Sequence, residues 1–196
     1  MHYDFIEIGT SDFDTLLEKA DPQVTGISVE PIAYYLDRLP NNHIVKANFA
    51  ISDCDGELLI YWVRPNLITE NGLPDWVRGC NSINEPHPTV VSLLEAKGLP
   101  DLMESLTCKV LSWDSFVELY GISSIGHLKI DTEGHDPVIL NALLQSKYSI
   151  RPVTITFESN ELSLQHEPLE ILHKLTSLGY EIADTVGANI TVKLKQ

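Results

Sequence analysis

Hydrophobic positions fall in short runs, separated by polar stretches with helical spacing. Runs at Tyr3–Ile8, Val24–Val29 and His43–Ala47 predict three strands. Between them, Thr15–Lys19 and Ile32–Leu39 predict helices, the first capped by Ser11-Asp12. Strand, helix, strand, helix, strand is the order of a parallel sheet with crossover helices. Leu58–Val63 predicts another strand. From about 64 to 106 the pattern lapses among five prolines, Pro65, Pro74, Pro86, Pro88 and Pro100, with one helix near Thr89–Glu95. Irregular connections longer than roughly 15 residues are usually functional or disordered. The stretch therefore reads as a lid-like insertion in a single domain spanning 1–196. Regularity then returns. Strands are predicted at Cys108–Ser112, His127–Asp131 and Val153–Phe157, and helices at Asp114–Tyr120, Pro137–Ser146 and Pro168–Leu178. Pro137 suits a first helical turn and Gly179 a helix end. Tyr180–Val186 and Asn189–Leu194, around Gly187-Ala188, predict a terminal hairpin.

Composition narrows the function classes. Of 196 residues, 43% are hydrophobic and 21% charged, which is ordinary for a globular chain. No apolar run approaches the ~18 residues of a membrane span, and no secretory leader is visible at the N-terminus. Lys and Arg total 13 against 28 Asp and Glu, a net charge of -15. There is no basic cluster beyond Lys193 and Lys195, so neither nucleic acid nor an anionic membrane is an expected partner. A neutral or cationic ligand meets less repulsion, although the charge also serves solubility. Cys54, Cys80 and Cys108 lie far apart with no paired spacing, which predicts a reducing, cytoplasmic setting.

Candidate chemistry gathers at predicted strand ends. Glu7, Glu30, Asp131 with Glu133, and Glu158 all stand where a strand finishes. Ligands of open α/β sheets bind outside those ends. Glu30 suits a ribose, whose two hydroxyls a carboxylate can accept, or else a helix start. The dinucleotide fingerprint G-x-G-x-x-G is missing, since Gly9-Thr10-Ser11-Asp12-Phe13 holds one glycine, and no phosphate-binding P-loop occurs.

Four segments together resemble the FkbM family of S-adenosylmethionine-dependent methyltransferases. They are Glu7-Ile8-Gly9, Val29-Glu30-Pro31, Ala50-Ile51-Ser52-Asp53 with Gly56, and Leu128-Lys129-Ile130-Asp131-Thr132-Glu133-Gly134. The resemblance runs from about residue 4 to 160. It implies an α/β, Rossmann-like class I methyltransferase fold: a mostly parallel seven-stranded sheet with an antiparallel last strand. It implies S-adenosyl-L-methionine as cofactor, with Glu7, Gly9, Thr10 and Ser11 along its methionine part. Glu30 with Pro31 would lie at the ribose, Ala50, Ile51 and Ser52 beside the adenine, and Asp53 at its amino group. Asp131 would lie near the transferring methyl. The implied reaction is O-methylation of a small molecule or glycan.

Asp131, Glu133, His135 and Asp136 are the candidates for taking the acceptor's proton, or else Glu133 and Asp136 cap the helix that begins near Pro137. Asp131, Glu133 and His135 are also metal-ligand types, but no spacing is diagnostic and no metal is assigned. His87 in the insertion is a further candidate base, and Asn81-Ser82 resembles a polar substrate contact of the family. Phe13 stands where the family carries a second glycine. That departure keeps open a methyltransferase-fold protein that binds or scaffolds without catalysis. An NAD-dependent reductase is a more distant alternative. The acceptor and the oligomeric state are not legible.

Overall fold

The computed structural model describes residues 1–163 and 168–195. In chain order it forms β1 (His2–Ile8), α1 (Leu16–Lys19), β2 (Gly26–Val29), α2 (Ala33–Arg38), β3 (Val45–Ala47), β4 (Ala50–Ser52) and β5 (Gly56–Val63). There follow α3 (Pro65–Glu70), α4 (Pro88–Ala96), β6 (Met103–Ser112), α5 (Trp113–Tyr120), β7 (Ser124–Ile130) and α6 (Asp136–Gln145). The chain closes with β8 (Thr154–Glu158), α7 (Pro168–Ser177), β9 (Tyr180–Val186) and β10 (Asn189–Leu194).

Seven strands make one sheet in the order β3-β2-β1-β7-β8-β10-β9. Its pairs are parallel except at β10, which runs antiparallel to both β8 and β9. This is the expected mostly parallel α/β sheet with an antiparallel last strand. Side chains alternate across it. Ile6 and Ile8 of β1 join a core with α5, α6 and α7, whereas Phe5 joins Leu17, Leu36, Leu39 and Ile44 from the α1–α2 side. Helices therefore cover both faces.

Register matters more than topology for the site. Ile8 is level with Val29 on one side and Ile130 on the other. The next residues, Gly9, Glu30 and Asp131, consequently leave the sheet side by side. The ladder even continues one step: Gly9 N–H donates to Val29 O, Glu30 N–H to Ala47 O and Asp131 N–H to Ile8 O, at 2.9 to 3.0 Å. Lys129 pairs with Thr156, and carrying that register on sets Glu158 beside Asp131.

Three expectations change. The strands expected at 58–63 and 108–112 do not enter the main sheet; β5 and β6 pair antiparallel and, with the short β4, make a separate three-stranded sheet. Helix α1 is capped by Thr15 in a capping box with Glu18, not by Ser11-Asp12. The stretch from 64 to 106 is structured. It holds α3, α4, two short 3-10 turns and its own apolar cluster of Val63, Ile68, Leu73, Val77, Val90 and Leu94. Prolines at Pro65, Pro88 and Pro100 start three of those elements, where the missing N–H costs nothing.

Candidate active site

β1 is the strand at which the chain order reverses, with β2 on one side and β7 on the other, and this is where ligands of such sheets bind. A cleft of about 490 Å³, partly open to solvent, lies there. Gly9, Ser11, Glu30 and Asp131 line its sheet side, Pro31, Ala50, Ile51 and Ile60 form an apolar wall, and Gly79, Asn81 and Ile83 of the insertion close it.

The floor depends on one glycine. Gly9 has φ +81°, and a Cβ there would sit 1.9 Å from Asp131 O. Ser11 is left-handed too, at φ 47°. Its N–H donates to Glu30 Oε2 at 2.8 Å, while Glu30 Oε1 accepts from Ile32 N–H at 2.8 Å. A carboxylate offers about four lone-pair sites, so each Glu30 oxygen keeps one for a ligand. Burial drives the Glu30 pKa up to about 7, against the lowering effect of those two N–H donors.

The insertion is clipped to this floor. Ser11 Oγ donates to Arg78 O at 3.3 Å, and Arg78 meets Asp12 at 3.0 Å. Phe13 lies outside the lining. Its ring packs on Gly79, where a Cβ would be 2.8 Å away, under the Arg78 guanidinium at 4.6 Å. On the other side Ser82 Oγ donates to Glu133 O at 3.0 Å.

Of the residues named from sequence, Gly9, Ser11, Glu30, Pro31, Ala50, Ile51, Asp131 and His135 line the cleft. Glu7, Thr10, Ser52, Asp53 and Glu133 do not. Glu7 faces away because the pleat turns it toward α1, where its carboxylate accepts Leu16 N–H at 2.6 Å and Leu17 N–H at 3.0 Å. The Thr10 hydroxyl is buried and donates to Ser11 O. Asp53 lies one residue past β4 and lines a different surface hollow, with Trp113 and Asn141. Ser52 is buried behind the wall, its Oγ 3.0 Å from His135 Nε2. His135 Nδ1 is 2.8 Å from Asn84 Oδ1, so both ring nitrogens are engaged. Burial lowers the His135 pKa to about 4, which keeps the ring neutral. It thus tethers β4 to the insertion.

Asp131 and Glu133 do come together, but with Glu158 and not with His135. Carboxylate oxygens of Asp131, Glu133 and Glu158 lie within 4.8 Å of one another, and Cys80, His87 and Glu133 form an overlapping group. Burial, then Glu133, Asp131 and Asp136, pushes Glu158 up to about 8. Burial likewise raises Asp131. Asp136 is enclosed beneath them, accepting N–H groups of Thr132 and Glu158 at 2.9 and 2.7 Å, and burial raises it to about 6. Gly79 and Ile83 went unmarked because nothing local distinguishes them, whereas Asn81, expected as a polar contact, lines the cleft and Glu158, expected as a strand-end carboxylate, joins Asp131 and Glu133.

These raised carboxyls predict a pH dependence. Glu30, Asp136 and Glu158 hold protons in the folded chain that the unfolded chain releases near pH 4 to 5. Their contribution to stability is therefore full below that range and is lost as pH rises toward 8. Denaturant midpoints of the ligand-free protein should fall from pH 5 to pH 8, by roughly a few kcal/mol at ~1.4 kcal/mol per pH unit for the buried Glu30. A flat or rising profile would contradict the burial of these groups.

The family model for the methyltransferase FkbM domain matches residues 6–182 of this chain. No curated protein and no solved structure matches it. Among the described residues no helix is long and apolar enough to cross a membrane.

Proposed function

The chain belongs to the FkbM methyltransferase family, and on that premise we propose that it is an S-adenosylmethionine-dependent methyltransferase acting on a hydroxyl oxygen of a small molecule or glycan. The observation that carries this reading is the level exit of Gly9, Glu30 and Asp131 into one cleft with an apolar wall.

The residues present fit an adenosyl sulfonium. Pro31, Ala50, Ile51 and Ile60 offer an apolar slot for a flat base. Glu30 lines the cleft, and each of its oxygens accepts one backbone N–H and keeps a lone pair for a ribose hydroxyl. Asp131 supplies negative charge where a cationic sulfur would sit. Bound there, the cofactor supplies an electrophilic methyl, which the acceptor oxygen takes as sulfur departs with the C–S electron pair. The chain's own contribution is mainly orientation, which can supply much of such an acceleration. Glu133, 3.4 Å from His87, receives the acceptor's proton. His135 acts by position, holding Ser52 and Asn84. The three unpaired cysteines suit a reducing cytoplasm. The Phe13 ring outside the cleft removes the main reason to favour a non-catalytic binding role.

The test is incubation with methyl-labelled S-adenosylmethionine and a panel of sugars and small alcohols. The expected result is label on an acceptor oxygen, matched one for one by S-adenosylhomocysteine. Absence of transfer to every acceptor, together with absence of cofactor binding, would overturn the proposal.

A further inference from the structure

A second cavity of about 480 Å³ begins where the cofactor cleft ends. It is lined by Ser82, Asn84, Glu85, His87, Glu133 and Glu161, with Pro86, Pro88 and Leu162. Glu133 belongs to this cavity and Asp131 to the first, and their carboxylate oxygens lie within 4.8 Å of each other and of Glu158. The two spaces therefore meet at that carboxylate group, which is where a methyl donor and its acceptor would have to face each other.

The lining is rich in acceptors and holds no Lys or Arg among the described residues. Lys129 Nζ stands 3.9 Å from Asp131. His87 Nδ1 accepts the Thr89 N–H at the start of α4, which turns Nε2–H toward Glu133, at 3.4 Å. Glu158 Oε2 is enclosed and has no hydrogen-bond partner among the described residues. A buried carboxylate oxygen left this way is costly until an N–H or O–H reaches it. The surroundings feel the surplus charge. Burial together with Glu133, Glu158 and Asp131 pushes the Cys80 thiol up to about 12.

We infer that this cavity is the acceptor site and that its acceptor is a hydroxyl compound bearing an ammonium group, such as an amino sugar or amino alcohol. The inference rests on the methyl-transfer reading and adds the substrate class. The ammonium lies among the carboxylates of Glu133, Glu85 and Glu161, which line the cavity. The hydroxyl then turns toward Asp131 and the cleft. Methylation forms one O–C bond, breaks the C–S bond and passes the hydroxyl proton to Glu133. Anionic acceptors are excluded by repulsion, which scales inversely with effective dielectric and is strongest in this half-enclosed setting.

The experiment is calorimetric titration with matched pairs of amino sugars and amino alcohols, each against its N-acetylated form, plus glucuronate as the anionic member. It is run on the protein both free and saturated with S-adenosylhomocysteine. At least one amine is expected to bind ten-fold or more tightly than its N-acetyl partner, and glucuronate not at all. Glu85→Gln with Glu161→Gln should reduce that preference several-fold while leaving S-adenosylhomocysteine affinity unchanged. Equal binding within every pair, preference for the N-acetyl form, or binding of no amine overturns the inference. So does micromolar Mn²⁺ binding that abolishes the amine preference, since the cation would then be a metal. Failure of S-adenosylhomocysteine to bind would instead count against the methyl-transfer reading, and the titrations on the free protein still decide the acceptor class.

Discussion

A Gly9→Ala variant is expected to melt well below the native chain and to lose binding of adenosyl ligands. Two costs combine. Left-handed backbone costs a residue with a side chain roughly 1–2 kcal/mol. The added Cβ would also stand 1.9 Å from Asp131 O, so the exits of β1 and β7 must separate. That separation moves Asp131, which the cleft needs in place. A total of about 3 kcal/mol or more corresponds to a fall of roughly 6–12 °C for a chain of this length. Gly187→Ala supplies the control. Gly187 has φ +60° with nothing near its would-be Cβ, so it should show the backbone cost alone and leave ligand binding intact. Equal melting temperatures for the two variants would show that the crowding at Gly9 has no consequence.

The second large effect is at Glu30. Glu30→Gln should weaken S-adenosylhomocysteine binding by 100-fold or more, because hydrogen bonds to a charged acceptor contribute ~1.5–3 kcal/mol each and two are at stake. Folding should survive with a loss of about 1–3 kcal/mol, because the amide nitrogen cannot accept one of the two backbone N–H groups that Glu30 holds, and above pH 7 the variant escapes the cost of a buried charge. The native protein should bind the ligand more tightly as pH rises through about 7, where burial sets Glu30's titration. The sign follows from the acceptor role: only the ionised carboxylate takes both hydroxyls. The Gln variant should lose this dependence. Calorimetry across pH 6 to 8 reads both effects, and an unchanged dissociation constant in the variant would remove Glu30 from the site.

Much of this site is legible in the chain because strand ends announce themselves. Val29-Glu30-Pro31 and Ile130-Asp131 follow buried apolar runs, and equal strand exits bring them together. Glu7 looks equivalent in sequence yet faces α1. It stands inside β1, on the face it shares with Phe5 and that α1 covers, whereas Glu30 and Asp131 lie beyond the ends of their strands. Asp53 fails for a related reason, lying just beyond β4 on a turn that faces another hollow. The insertion was the least legible part. Its prolines look like breakers from sequence, but three of them begin helical turns. Asn81 and Ile83 reach the cleft through long-range contacts, among them the Tyr61–Ser82 pairing and the Ser82–Glu133 bond, that no local pattern encodes. The convergence of Glu158 with Glu133 likewise depends on the β7–β8 register, not on spacing.

The most direct measurement is a crystal structure grown with saturating S-adenosylhomocysteine. Adenosine should occupy the cleft between Glu30 and the Ala50–Ile51 wall, both ribose hydroxyls against the Glu30 carboxylate and sulfur beside Asp131. A cleft still empty at saturation, or an adenosine bound elsewhere with Glu30 untouched, would contradict the account.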